Sequence, residues 1–222
     1  MVQNYIIVSL ISYVLGSIPF ALIINRIFFK QDIRTFGSKN IGALNTLRTA
    51  SKEKGGKIGF ISFLCVTLLD MGKAILSIMI ARILIPDIIL ATSLATLFVI
   101  LGHNYSIFLK FKGGRGAASF IGVLFFLDWK ALVGWMAIII CFMILFEIFA
   151  KRKVNKKFLK HAISDQVLGR LVGETVALFW LFTYNIEIFY PALVATPLIL
   201  IAHKDRLDEQ LKKLKEKTYL ND

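Results

Sequence analysis

No charged side chain occurs before Arg26, and four later runs are nearly as long and as apolar. This pattern constrains the fold more than any other feature, because backbone N–H and C=O groups placed in lipid must find partners within the chain. A helix needs roughly 20 apolar residues to cross a hydrocarbon core of roughly 30 Å. By that measure residues 5–28, 58–85, 88–108, 131–150 and 171–189 are expected to cross as helices. Two shorter apolar stretches, 117–127 and 191–202, fit either short spans or re-entrant half-helices buried in protein.

Charge gives the expected topology. Of the 27 Lys and Arg residues, 23 fall within 30–57, 110–115, 151–170 and the tail after His203. Such stretches stay on the cytoplasmic side, so an even number of crossings must separate each from the next. Both short stretches then count as crossings. The expected fold is an all-α polytopic membrane protein of seven transmembrane helices, two of them short, with the N-terminus outside and the C-terminus cytoplasmic. It forms one domain over 1–222, with cytoplasmic loops at about 29–57, 110–117 and 151–170 and a tail at 203–222. Trp129 and Trp135 suit an interfacial belt, Arg82 is expected to snorkel outward, and Glu147 and Glu174 are expected at the interface.

A formal net charge of +13 would also suit nucleic acid, but a nucleic-acid binder has no need of long uncharged apolar runs. Membrane lipid and small anions are the expected partners. Cys65 and Cys141 lie singly in apolar runs with no metal-ligand spacing, so they read as packing residues; no metal or cofactor is expected. The first run lacks a positive flank before it and is expected to stay attached as a span.

Three polar segments carry candidate chemistry. In DIRTFGSKNIGALNTLR (32–48), Ser38, Asn40, Asn45 and Arg48 can donate to an anion, and Gly37 and Gly42 let backbone N–H groups approach it; a plain polar surface loop is the alternative. FKGGRGAA (111–118) is not the nucleotide-binding GxxxxGK[ST]. It places Gly113, Gly114 and Gly116 before a short apolar helix, flanked by Lys112 and Arg115, where free N–H groups and the helix dipole favour an anion. A tight turn in a positive-inside cluster is the alternative. His203 stands where the last apolar stretch ends and can donate to an anion or carry a proton near neutral pH; an interfacial polar residue is the alternative, and for a lone histidine the commoner one. Beyond it, Leu207, Leu211 and Leu214 mark a basic amphipathic helix suited to anionic lipid. Asp70 and Lys73 share a helix face within the second run, where they either shape the site electrostatically or form a structural pair, the second being the preferred reading.

Taken together, GSIPF (16–20), DIRxxGSxNIGAxNxLR (32–48), DMGKA (70–74), LGHNYSIFLKFKGGRG (101–116) and AHKD (202–205) resemble the PlsY family of bacterial acyl-phosphate:glycerol-3-phosphate acyltransferases. The resemblance implies a seven-helix inner-membrane enzyme with its active site facing the cytoplasm. It would transfer a fatty acyl group from acyl phosphate to the 1-hydroxyl of sn-glycerol 3-phosphate, giving lysophosphatidic acid and phosphate in phospholipid biosynthesis. By matched position, Ser38, Arg48 and His203 are the expected catalytic residues. Phosphate is expected to be held by Gly37, Ser38, Asn40, Asn45, Arg48, Lys112, Gly113, Gly114, Arg115, Gly116, His203 and Arg206.

The His-x4-Asp spacing of thioester-dependent acyltransferases is missed by His161 and Asp165, which three residues separate, and is met once, by His203 and Asp208. An acyl phosphate is a mixed anhydride with a good leaving group, so positioning and charge stabilisation matter more than a base. Ser38 as a covalent nucleophile lacks a visible base partner. The chain departs from the family pattern at Lys39 (usually Gly), Leu44 (often Thr), Arg115 (usually Lys) and Arg206 (usually Asn), and its 151–170 loop is long. A divergent relative that binds a phosphorylated lipid or metabolite without turnover is the alternative reading. A transporter would need ionisable groups along a midplane path, whereas these motifs gather at one face.

Overall fold

The computed structural model describes residues 2–149 and 167–219, so the expected 151–170 loop lies almost wholly outside the described residues. Every regular element among the described residues is helical. These are α1 (Val2–Ser17), α2 (Phe20–Phe29), α3 (Ala43–Lys54), α4 (Gly56–Leu84), α5 (Ile88–Asn104), α6 (Ala117–Leu127), α7 (Trp129–Phe149), α8 (Val167–Tyr184), α9 (Ile186–Ala202) and α10 (Lys204–Tyr219), with short 3₁₀ turns at Ile33–Thr35 and Ile107–Leu109. Five segments are long and apolar enough to cross a membrane, and a sixth is α9 joined to α10 across a 48° bend. Helix α6, at 11 residues, is about 16 Å long from a rise of about 1.5 Å per residue, roughly half the hydrocarbon core.

The first span is not the uninterrupted helix expected over 5–28. Pro19 has no N–H and drives Ile18 out of the helical region, splitting the span into α1 and α2. Such a break at membrane depth is tolerated only when its carbonyls find partners in protein. Ser106 Oγ donates to Ser17 O at 2.6 Å and Lys73 Nζ to Ile18 O at 3.2 Å. The boundary expected between 171–189 and 191–202 also moves. Asn185 caps α9 by accepting from Glu187 N–H at 2.8 Å, so the helix begins at Ile186 and runs through Pro191 and Pro197. The second of the two short stretches is therefore a 17-residue helix.

Helices approach closely where glycine removes the side chain. A Cβ on Gly16 or Gly102 would collide with the α5 or α1 backbone respectively, so α1 and α5 pack nearly backbone to backbone. Gly169 and Gly173, one turn apart on α8, do the same against α7. Around these seams Ile78, Val99, Ile100, Phe120, Leu124, Leu181 and Ile199 form the core. Leu68, Ile83, Phe179 and other large apolar side chains face outward, as lipid requires.

Several side chains depart from expectation. Trp129 is 60% exposed, whereas Trp135 is 6% exposed and packs edge-on against Phe120 at 5.4 Å. Cys65 and Cys141 are exposed on the helix surfaces rather than packed. Arg82 turns inward, donating to Thr92 Oγ1 at 3.0 Å with its guanidinium over the Phe126 ring. Glu147 and Glu174 are buried, at 4% and 2% exposure, because α7 and α8 pack against each other through the glycine faces.

Candidate functional site

The segment 32–48 is organised around one side chain. Asn45, near the start of α3, donates through Nδ2 to Ile33 O, Phe36 O and Asn40 O at 3.0–3.1 Å, and its Oδ1 accepts from Ser38 N–H at 3.0 Å. Its two N–H hydrogens are shared among the three carbonyls and one Oδ1 lone pair is used, so the amide's donors go into holding the loop. Gly37 adopts φ +56°, and a Cβ there would strike Asn45 Oδ1. Lys39, where the family pattern has glycine, also lies in the left-handed region at φ +57°. Outside this knot Asp32 caps the 3₁₀ turn and pairs with Arg26 and Arg34; the hydrogen bond from Arg34 holds its carboxyl well below the usual range.

The segment 111–118 is held from below by the end of α5. Gly113 N–H donates to Asn104 O and Gly114 N–H to His103 O, each at 2.9 Å. A Cβ on either glycine would collide with residue 103. These two glycines serve close packing, and their N–H groups are occupied. Gly116, at φ +77°, starts α6 and has no side chain to cap the first-turn N–H groups, which leaves the positive end of that helix dipole open. Arg115 Nε donates to Ala202 O at 3.2 Å, tying the turn to the end of α9.

Ser38, Asn40, Asn45, Arg48, Arg115, Gly116, His203 and Arg206 line one cavity of about 240 Å³, together with the start of α6. Its walls also include Leu44, Phe63 and Ile121, so polar and apolar surfaces meet within it. Lys112, Gly113 and Gly114 line an adjoining groove of about 610 Å³, shared with Ser38, Asn40 and Arg115. Gly37 faces a separate recess beside α3, on which Arg48 also borders.

Electrostatics mark the cavity as anion-seeking. Four arginines, Arg48, Arg115, Arg170 and Arg206, border it, against one lining carboxylate, Asp70. Burial, then the neighbouring Arg206 and Arg170, pull the Arg115 guanidinium down to about 10, so it remains charged at neutral pH. Burial lowers His203 to about 4, which keeps its ring neutral. His203 Nδ1 lies 2.8 Å from Ile199 O; a carbonyl only accepts, so Nδ1 carries the proton and Nε2 the lone pair. Among the described residues no base hydrogen-bonds to the Ser38 hydroxyl.

Three titratable lining residues were outside the expected set. Arg170 belongs to α8, and its signal in sequence is Glu174 one turn later in an otherwise apolar helix, a spacing that lets the two charges neutralise each other. Asp70 and His103 come from α4 and α5. His103 Nδ1 lies 2.9 Å from Lys73 Nζ and 3.6 Å from Asp70 Oδ1, so the Asp70–Lys73 pair is one part of a larger buried cluster.

Residues 6–213 match the family described as glycerol-3-phosphate acyltransferase. A glycerol-3-phosphate acyltransferase of Pseudothermotoga lettingae is 32% identical over 98% of this chain and 96% of its own. That of Pelagibacter ubique is 44% identical over 60% of this chain and 66% of its own, so the alignment there spans just under two thirds of the relative. The crystal structure of PlsY, an integral membrane glycerol 3-phosphate acyltransferase in its glycerol 3-phosphate form, superposes with a TM-score of 0.69 at 25% identity, covering 94% of this chain and 92% of that one.

Proposed function

The chain belongs to the glycerol-3-phosphate acyltransferase family, and from that premise we propose that it transfers a fatty acyl group from acyl phosphate to the 1-hydroxyl of sn-glycerol 3-phosphate. The products are lysophosphatidic acid and inorganic phosphate. The observation that carries this reading is the cavity in which four arginines, an uncapped helix N-terminus and a neutral histidine meet apolar walls. Both substrates bring a phosphate, and one brings an alkyl chain.

In this scheme the glycerol O1 attacks the acyl carbonyl carbon, the new ester C–O bond forms, and the bond from that carbon to the phosphate oxygen breaks with phosphate leaving. Arg48, Arg115 and Arg206, with Ser38 and Asn40, neutralise and orient the phosphates, which supplies effective concentration and offsets charge on the leaving group. Gly116 contributes the open end of α6. Asn45 and Gly37 act by holding the loop, and Lys112 with Gly113 and Gly114 borders the outer groove through which anions approach. The hydroxyl proton goes to a substrate phosphate or to His203 Nε2, the ring nitrogen with the lone pair. The acyl chain lies along Phe63 and Ile121.

We place the site on the cytoplasmic side of the bacterial inner membrane, with seven crossings and the N-terminus outside, on the distribution of Lys and Arg. The test is purified protein in lipid supplied with palmitoyl phosphate and glycerol 3-phosphate, following phosphate release and lysophosphatidic acid together. Acyl-CoA and acyl-carrier protein in parallel arms identify the donor. Binding without product from any donor would instead favour a non-catalytic phospholipid or metabolite binder, the reading that Lys39 and Arg206 motivate.

A further inference from the structure

Beneath the glycine turn, α4, α5 and the break in the first span meet at Lys73. Its Nζ lies 2.7 Å from Asp70 Oδ1, 2.9 Å from His103 Nδ1 and 3.2 Å from Ile18 O. These three acceptors match the three hydrogens of an ammonium group. Ser119 Oγ, on α6, stands 3.4 Å from the same His103 nitrogen, and the Phe20 ring lies 5.8 Å from Nζ. Asp70, Lys73, His103 and Ser119 are all buried.

A lysine donating to Nδ1 makes that nitrogen the acceptor and puts the ring proton on Nε2. The ring is thereby fixed in tautomer and orientation, and its Nε2 edge occupies the space where Gly114 would carry a Cβ. The His103 carbonyl meanwhile accepts from Gly114 N–H at 2.9 Å. The residue that follows Gly114 is Arg115, whose guanidinium borders the anion cavity. Lys73 also satisfies Ile18 O at the break in the first span, but the contacts among Asp70, Lys73 and His103 are more than packing requires; an apolar cluster would fill the same volume with less desolvation.

We propose that Asp70, Lys73 and His103 form a buried positioning cluster that sets the 113–116 turn, and through it Arg115, for binding the phosphate of a substrate. Asp70 and His103 also border the cavity, and loss of the Asp70 carboxylate would by itself favour an anion there, so weaker phosphate binding in a variant lacking it reports on the turn. The proposal rests on the phosphate-binding reading of the cavity given above. Removing the whole cluster's charge while keeping its volume loosens the turn, which weakens phosphate binding more than it weakens the fold.

The test uses the full chain in lipid nanodiscs with two readouts, the rise in melting temperature caused by inorganic phosphate and the KM and kcat for palmitoyl phosphate. Lys73→Met alone strands the buried Asp70 charge and risks misfolding, so the informative variant is Asp70→Asn combined with Lys73→Met. We expect a folded protein with a lowered melting temperature without phosphate, because Ile18 O and His103 Nδ1 lose a donor, phosphate affinity reduced about tenfold, and KM raised in proportion with a smaller change in kcat. Arg115→Gln should weaken phosphate binding in the wild-type background and add little in the double variant, because both act through one turn. A folded double variant that keeps wild-type phosphate affinity, or an Arg115→Gln effect equal in the two backgrounds, overturns the proposal. If the wild type binds phosphate but turns over no acyl phosphate, the acyltransferase reading fails, while the phosphate readout still decides the role of the cluster.

Discussion

Arg115 offers the sharpest test of the anion cavity, because its charge and its geometry can be removed separately. The guanidinium makes a 3.2 Å hydrogen bond from Nε to Ala202 O and borders the cavity with Arg48, Arg170 and Arg206. Arg115→Gln deletes the charge. A hydrogen bond to a charged group contributes about 1.5–3 kcal/mol, equivalent to about 13- to 160-fold in KM for the phosphate-bearing substrate it contacts. The low end applies if the three remaining arginines still attract the anion. Arg115→Lys keeps the charge but lacks the planar fork and an Nε positioned for Ala202 O. Its loss is one ordinary hydrogen bond, about 0.5–1.5 kcal/mol, or about 2- to 13-fold. Initial rates of lysophosphatidic acid formation, with each substrate varied in turn, should rank wild type above Lys above Gln, with the change falling on KM for one substrate. Equal KM values in all three proteins, or a Lys variant as impaired as Gln, would refute the assignment of phosphate to this guanidinium.

Because burial holds His203 near 4, below its ordinary value of about 6.5, the folded chain binds fewer protons than the unfolded chain between those limits, and the ring's burial costs stability as pH falls through that window. His203→Gln should therefore show a shallower loss of melting temperature from pH 6.5 to 4.5, while the ratio of wild-type to variant kcat stays flat from pH 6.5 to 8; a break in that ratio near 6.5 would contradict a neutral ring. Asn45→Asp should abolish activity by setting an oxygen against three carbonyls it now serves as donor, and limited proteolysis should then cut within residues 34–40 much faster. Gly16→Ala should lower stability by about 1–3 kcal/mol through the clash with the α5 backbone. Gly72→Ala, with open space around its Cβ position, should be neutral or gain up to about 1 kcal/mol from helix propensity, both measured by thermal melting in lipid.

Local chemistry carried much of this protein into view from sequence alone. The long apolar runs dictated helices because lipid offers the backbone no partners, and Gly116 marked the start of a short helix, whereas the breaks at Pro19 and Asn185 lie inside runs that hydropathy reads as continuous. The basic loops and their glycines announced an anion site, since charge and glycine act over a few residues. Only the tertiary structure decided which of those residues share a cavity. It recruited Arg170 from α8, gave Asn45 to the loop, and occupied the N–H groups of Gly113 and Gly114 with the end of α5. It also joined Lys73 to His103 and Ile18, positions separated by 30 and 55 residues. Hydrogen-bond capacity at a residue is written in its side chain, but which partner uses it depends on helices that meet only after packing, and the close glycine seams set where they meet.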